Sequence, residues 1–180
     1  TSEIINGEAK VYAIYKDIVS VTYYSYKEMG STVTKTYEIN YLTNETGVVN
    51  QGNKVELETP GGLDGYEAIG WRKDTLALEA EYESYSEYNI TETSVFYGNY
   101  KRNIELTYGA NGGSTTPEKQ IKTVIYNTAL KLEEVEATFK LDKGTTRTGY
   151  TLEGWSETLN GETVYKEEIT IKNNTKVYAV

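Results

Sequence analysis

Glu79, Glu81, Glu83 and Glu87 are spaced so that they could gather a calcium ion. Carboxylate oxygens are hard ligands of the kind calcium takes. No Asp-x-Asp-x-Asp-Gly loop shapes these four into a site, so a solvated charged face is the simpler account. Trp71 and Trp155 are the only two tryptophans. A flat indole face suits the C–H groups of a sugar ring, yet repetition at one position favours each as the core plug of its module. The chain also holds 18 tyrosines against 2 phenylalanines, which fits either an aromatic contact surface or strands whose faces are half buried. Paired carboxylates of a glycosidase are available in any acidic chain, but here no deep single domain is expected to hold a cleft. Gly109 to Gly113 lacks the Gly-Lys-Ser/Thr ending of a phosphate loop and reads as a hairpin turn. Asn44-Glu45-Thr46, Asn89-Ile90-Thr91 and Asn173-Asn174-Thr175 fit the glycosylation acceptor pattern.

Composition narrows the chemistry further. With no cysteine and no histidine, thiol chemistry, disulfides, the commonest general base and the commonest metal ligand all drop out. No catalytic, cofactor-binding or metal-ligating residue is assigned, no cofactor is expected, and the ligand-binding residues are left unassigned. Net charge is −9 and uneven. Residues 17–100 carry 14 Asp and Glu against 5 Lys and Arg, whereas residues 101–180 carry 11 of each. An acidic balance argues against nucleic acid as a partner, because phosphates need a basic surface. No apolar run approaches the roughly 18 residues of a membrane span.

The elements that must position these residues show an internal echo. Gly65-Tyr66-Glu67-Ala68-Ile69-Gly70-Trp71 returns as Gly149-Tyr150-Thr151-Leu152-Glu153-Gly154-Trp155, offset by 84 positions. Tyr15 to Tyr23 returns as Tyr100 to Tyr108 at offset 85, and Ile90 to Tyr97 returns as Ile171 to Tyr178 at offset 81. Ile5 to Ala13 repeats the spacing and the Val-Tyr-Ala ending of Ile171 to Ala179. A fixed period of this kind sets the domain count. Residues 1–16 are expected to be the last strand of an upstream copy, 17–100 the first module and 101–180 the second, the whole being a piece of a longer array. The junctions Tyr15-Lys16-Asp17 and Tyr100-Lys101-Arg102 hold no Gly, Pro or Ser, unlike a flexible linker. Neighbouring copies are therefore expected to be held stiffly.

Within each copy the pattern is that of strands. Val19, Val21 and Tyr23 alternate with Ser20, Thr22 and Tyr24, as Ile104, Leu106 and Tyr108 do with Glu105 and Thr107. Residues 32–42 and 120–132 are expected to return antiparallel, 44–53 to be loop, 66–71 and 150–155 to be strands, and 90–100, 164–171 and 176–180 to close the modules. Residues 74–88 fit helix or strand. Leu132, Val135 and Phe139 are spaced as on one helix face, yet Phe139-Lys140-Leu141 also aligns with the strand Val55-Glu56-Leu57.

Leu106-Thr107-Tyr108-Gly109-Ala110-Asn111-Gly112-Gly113, then Arg147 to Trp155, then Thr175-Lys176-Val177-Tyr178-Ala179 resemble the Listeria–Bacteroides repeat, the internalin B-repeat family. The resemblance covers nearly all of 101–180. The first copy keeps Gly65-Tyr66 and Gly70-Trp71 but has Lys27-Glu28-Met29-Gly30 at the turn. The resemblance implies a small β-grasp, ubiquitin-like module that is not a catalyst, found in tandem in secreted and wall-attached bacterial proteins. The expected fold is thus mainly β, α+β at most, in two tandem modules. The expected role is a monomeric extracellular spacer presenting other domains. The alternative is an adhesin module that binds a host glycan or host surface protein through exposed aromatic and acidic residues. A Lys–Asn isopeptide staple is compatible with such modules and cannot be located from sequence.

Overall fold

A computed structural model of the chain describes residues 10–26, 31–44, 46–73, 80–128 and 135–180. These residues are all-β, with no helix among them. They fall into two compact units, one within Thr1–Leu63 and Ala68–Asn99, the other within Asp64–Glu67 and Tyr100–Val180.

In the first unit, β1 (Ile14–Ser25) and β2 (Ser31–Asn44) pair antiparallel, with Val21 opposite Lys35. The alternation of apolar and polar residues in β1 buries Val19, Val21 and Tyr23 on one face. β3 (Gly47–Asn50) pairs with β2, and β4 (Asn53–Glu56) pairs with β7 (Glu87–Ile90) as a separate ribbon. β5 (Glu67–Lys73) pairs with β6 (Tyr82–Glu83) and with β8 (Ser94–Gly109). The first part of β8 runs parallel to β1, with Val21 opposite Ser94 and Tyr24 opposite Tyr97. Val19, Val21, Tyr23, Ile39, Leu57, Trp71, Ile90 and Phe96 close the core.

The second unit begins inside β8. Its strands are the rest of β8, β9 (Gln120–Asn127), β10 (Ala137–Lys140), β11 (Trp155–Ser156), β12 (Glu168–Ile171) and β13 (Thr175–Ala179). β9 pairs with β8, β13 runs parallel to β8 with Thr175 opposite Leu106, and β11 pairs antiparallel with β13. β10 and β12 form a separate ribbon with Phe139 opposite Ile169. Ile104, Leu106, Tyr108, Phe139, Trp155, Ile169, Ile171 and Val177 are the heart of its core.

Several expectations are corrected. The segment 44–53, expected as loop, contains β3. Val48 and Val49 are β-branched strand formers, and the Asn44 carboxamide accepts from the Thr46 N–H at 2.9 Å to tighten the turn before them. Residues 150–154 are not a strand. The Tyr150 N–H donates to the Arg147 carbonyl in a turn, and Gly149 (φ 81°) and Gly154 (φ 156°) leave the extended region open to L-residues. Within the expected strand 1–16, residues 10–13 are not strand and 14–16 open β1; strand structure also stops over 91–93 and is reduced to one bridge, Tyr165 to Trp155, before β12. Phe139 lies in β10, so its alignment with Val55 in β4 is the correct one. Residues 74–79, 129–134 and the turn at 27–30 lie outside the described residues, as do the earliest positions of the expected upstream strand.

Candidate functional site

Trp71 and Trp155 are not platforms. They are 3 % and 0 % exposed. Each indole Nε1–H donates to a carbonyl thirteen residues upstream, Trp71 to Glu58 at 2.6 Å and Trp155 to Asp142 at 2.8 Å. Each ring meets a tyrosine edge-on, Trp71 with Tyr23 at 5.3 Å and Trp155 with Tyr108 at 4.7 Å, a geometry favoured by the ring quadrupole. The preceding glycines allow this placement. A Cβ at Gly70 would stand 2.1 Å from the Tyr82 carbonyl oxygen, and one at Gly154 would stand 2.4 Å from that of Tyr165. Repetition of the Gly-Trp pair therefore reflects core packing in both units.

Beside Trp71 lies a small cavity of about 90 Å³, lined by Tyr23, Lys35, Tyr37, Glu58 and Thr59 among others. Burial pushes the Tyr23 phenol well above its ordinary value, and its bond to the Tyr37 hydroxyl at 3.3 Å adds to that. Lys35, on its wall, pairs with Glu58 at 3.0 Å. In the second unit the corresponding phenol, Tyr108, accepts from Gln120 Nε2 at 2.6 Å and from the Asp142 N–H at 3.2 Å. Burial again raises it. Each phenol is held protonated at neutral pH, so neither is a poised base.

The acidic candidates do not converge. Glu81 and Glu87 are exposed, Glu83 is exposed at the end of β6, and Glu79 lies outside the described residues. No group of three or more metal-ligating side chains gathers among the described residues. Three other glutamates, Glu92, Glu153 and Glu167, are held below the usual carboxylate range by hydrogen bonds from Lys73, Lys166 and Lys143. The pairs of Glu153 and Glu167 are surface pairs of small energetic weight, and Lys73 reaches the exposed Glu92 from a half-buried position. Asn44, Asn89 and Asn173, the acceptor positions of the glycosylation pattern, lie at the end of β2, in β7 and just before β13.

A groove of about 570 Å³ lies in the second unit, bordered by Asn111, Lys143, Arg147, Tyr150, Leu152 and Asn160 among others. Its exposed wall is Tyr150, 68 % exposed, with the Arg147 guanidinium 4.2 Å over the ring. The Arg147 Nη1 also donates to the Asn111 carbonyl at 3.3 Å, so the turn at Ala110–Gly113 and the turn before Tyr150 are tied together. The sequence signals this place only through the repeated Gly-Tyr pair, where attention goes to the tryptophan that follows. A cation-capped phenol beside amide side chains can stack on a ring and donate hydrogen bonds.

No helix among the described residues is long and apolar enough to cross a membrane. No curated protein and no solved structure matches the chain. Residues 105–180, which take in the later part of β8, the Trp155 core and the Arg147–Tyr150 groove, match a family model. Over that stretch the chain is similar to the Listeria-Bacteroides repeat domain, a non-catalytic repeat typical of bacterial surface proteins.

Proposed function

We propose that the chain is a tandem repeat region of a secreted or wall-attached bacterial surface protein, of the internalin B-repeat kind. Its two units are copies of one β-grasp module, and they act as a stiff spacer that presents other domains outside the cell. The observation that carries this reading is the identical use of aromatic residues. Each unit commits its tryptophan, a tyrosine and the preceding glycine to the same packing, with the same indole-to-carbonyl bond. Supporting it, strand order runs β2-β1-β8-β5 in one unit and β9-β8-β13-β11 in the other, with β1 parallel to β8 in the first and β8 parallel to β13 in the second. The junction residues Tyr100, Lys101 and Arg102 lie inside β8, where backbone freedom is least. The protein is a monomer in dilute solution and has no affinity for nucleic acid. Amide ¹⁵N relaxation tests the spacer. One rotational correlation time shared by both units is the expected result, and two independent correlation times would sink it.

A second reading, an adhesin for a host glycan or host surface protein, draws on the Arg147–Tyr150 groove. Chemical-shift perturbation with a panel of soluble glycans decides it. Shifts confined to Tyr150 and its neighbours, lost in Tyr150→Ala, would make binding the primary role.

A further inference from the structure

A tyrosine pair on adjacent strands occurs in both units, and its surroundings differ. In the second unit Tyr100 and Tyr126 stack with centroids 6.0 Å apart, and both are buried. The same unit includes the segment Asp64–Glu67. From it Tyr66 meets Tyr126 edge-on at 6.1 Å, the Arg102 guanidinium lies 4.7 Å over the Tyr66 ring, and Glu67 pairs with Lys101 at 3.0 Å. A Gly-Tyr turn with Gly65 at φ 74° thus caps a tyrosine pair.

In the first unit the same positions are Tyr15 and Tyr41, directly opposite each other on β1 and β2. Tyr15 is 59 % exposed where Tyr100 is fully buried. Asp17, two residues along β1 on the same face, is exposed beside them. The chain also holds a second Gly-Tyr turn of matching geometry. Gly149 has φ 81°, and Tyr150 stands out from the surface under Arg147. One unit shows the socket open, and the other shows the plug exposed.

We propose that the Arg147–Tyr150 turn of one copy of this chain docks on the Tyr15–Tyr41 face of a second copy. Tyr150 takes the place on Tyr41 that Tyr66 takes on Tyr126. The charges support that occupant. Position 17 is Asp where position 102 is Arg, and position 147 is Arg where position 63 is Leu. The cation that caps the tyrosine comes with the plug, and an exposed carboxylate waits on the socket side. The contact is heterologous, so it propagates head to tail and leaves one open socket and one open plug at the ends of any assembly. A patch of this size binds weakly and becomes populated at the roughly millimolar effective concentrations of tethered neighbours. The inference rests on the tyrosine geometry and holds whichever function the region serves.

Sedimentation velocity and ¹H–¹⁵N spectra over a series up to about 2 mM, an effective concentration typical of short tethers, are the test. The expected result is concentration-dependent association, with shifts at Tyr15, Asp17, Tyr41 and Tyr150. Tyr15→Ala and Tyr150→Ala, each with an unchanged melting profile, should both lose self-association. Mixing these two variants should give dimers and nothing larger, because only one intact plug and one intact socket remain. Asp17→Arg should weaken association at least fivefold, and Arg147→Asp should restore it in the double variant. A wild-type chain that stays monomeric throughout, or association that survives both alanine variants, would overturn the proposal.

Discussion

At the scale of single residues, the decisive positions are glycines whose two jobs differ. Gly149 (φ 81°) has open space where a side chain would start, whereas Gly154 (φ 156°) faces the Tyr165 carbonyl at 2.4 Å. Alanine at 149 meets only the penalty of a left-handed backbone, about 1–2 kcal/mol. Alanine at 154 adds a clash with backbone that cannot swing away, for a loss on the order of 3 kcal/mol or more. Urea unfolding of the two variants, followed by tryptophan emission, should show that ordering, and equal midpoints would refute the steric account. The emission itself should be blue-shifted and resistant to acrylamide, since both indoles are buried. Pairing of each glycine with its tryptophan was visible in the sequence because it recurs. The carbonyl that each indole meets was not, because a backbone acceptor at Glu58 or Asp142 leaves no mark on residue identity.

At the scale of elements, the strands that alternate cleanly, β1 and the later part of β8, were legible because one face is buried and the other wet. β3 was hidden because Val48 and Val49 sit among Asn, Gly and Gln, and their pairing partner on β2 supplies the order that local composition does not. The opposite error occurred at 150–154, where apolar and aromatic residues suggest a strand and two positive-φ glycines prevent one. The turn at Ala110–Gly113 was predicted from Asn-Gly. Asn111 and Gly112 have φ 46° and 85°, the Gly113 N–H closes on the Ala110 carbonyl at 2.9 Å, and Asn111 Nδ2 donates to the Ala179 carbonyl at 3.0 Å. Asn111→Ala removes that bond and leaves alanine at positive φ. It should cost about 2 kcal/mol in denaturant unfolding, and Asn111→Gly should recover part of the loss by relieving the backbone alone. The groove beside this turn was illegible because Arg147 and Asn111 are 36 residues apart.

At the scale of the molecule, titration of buried phenols sets the behaviour in alkali. Tyr23, Tyr66, Tyr82 and Tyr108 are all raised above the model-peptide value of 10.0, burial being the leading cause in each. A raised folded value means that the folded chain keeps protons the unfolded chain has lost. The stabilisation is therefore complete below pH 10 and disappears as pH climbs above it. Thermal melts should hold steady from pH 7 to about 9.5 and fall steeply beyond. Tyr108→Phe should flatten the fall in the second unit, and an unchanged slope would refute the assignment. In the opposite direction, acid should affect the two halves differently. Residues 17–100 carry nearly three times as many carboxylates as basic groups, whereas residues 101–180 are balanced. The mainly β character was legible from the alternation of apolar and polar residues. The inclusion of Asp64–Glu67 in the second unit was not, because nothing in that segment's composition sets it apart from the strand it begins.

The parallel pairing of β1 with β8 has a consequence under mechanical load. Force applied at Ile14 and Tyr97 pulls two parallel neighbours past each other, so the hydrogen bonds between Val21–Tyr24 and Ser94–Tyr97 are strained together. Force applied at Ile14 and Leu42 peels an antiparallel hairpin from its open end, one bond after another. The chain has no cysteine, so handles can be placed at either pair by substitution. Rupture along the first axis should require a clearly larger force than along the second. The first unit would then resist tension best along the axis that β1 and the early part of β8 share.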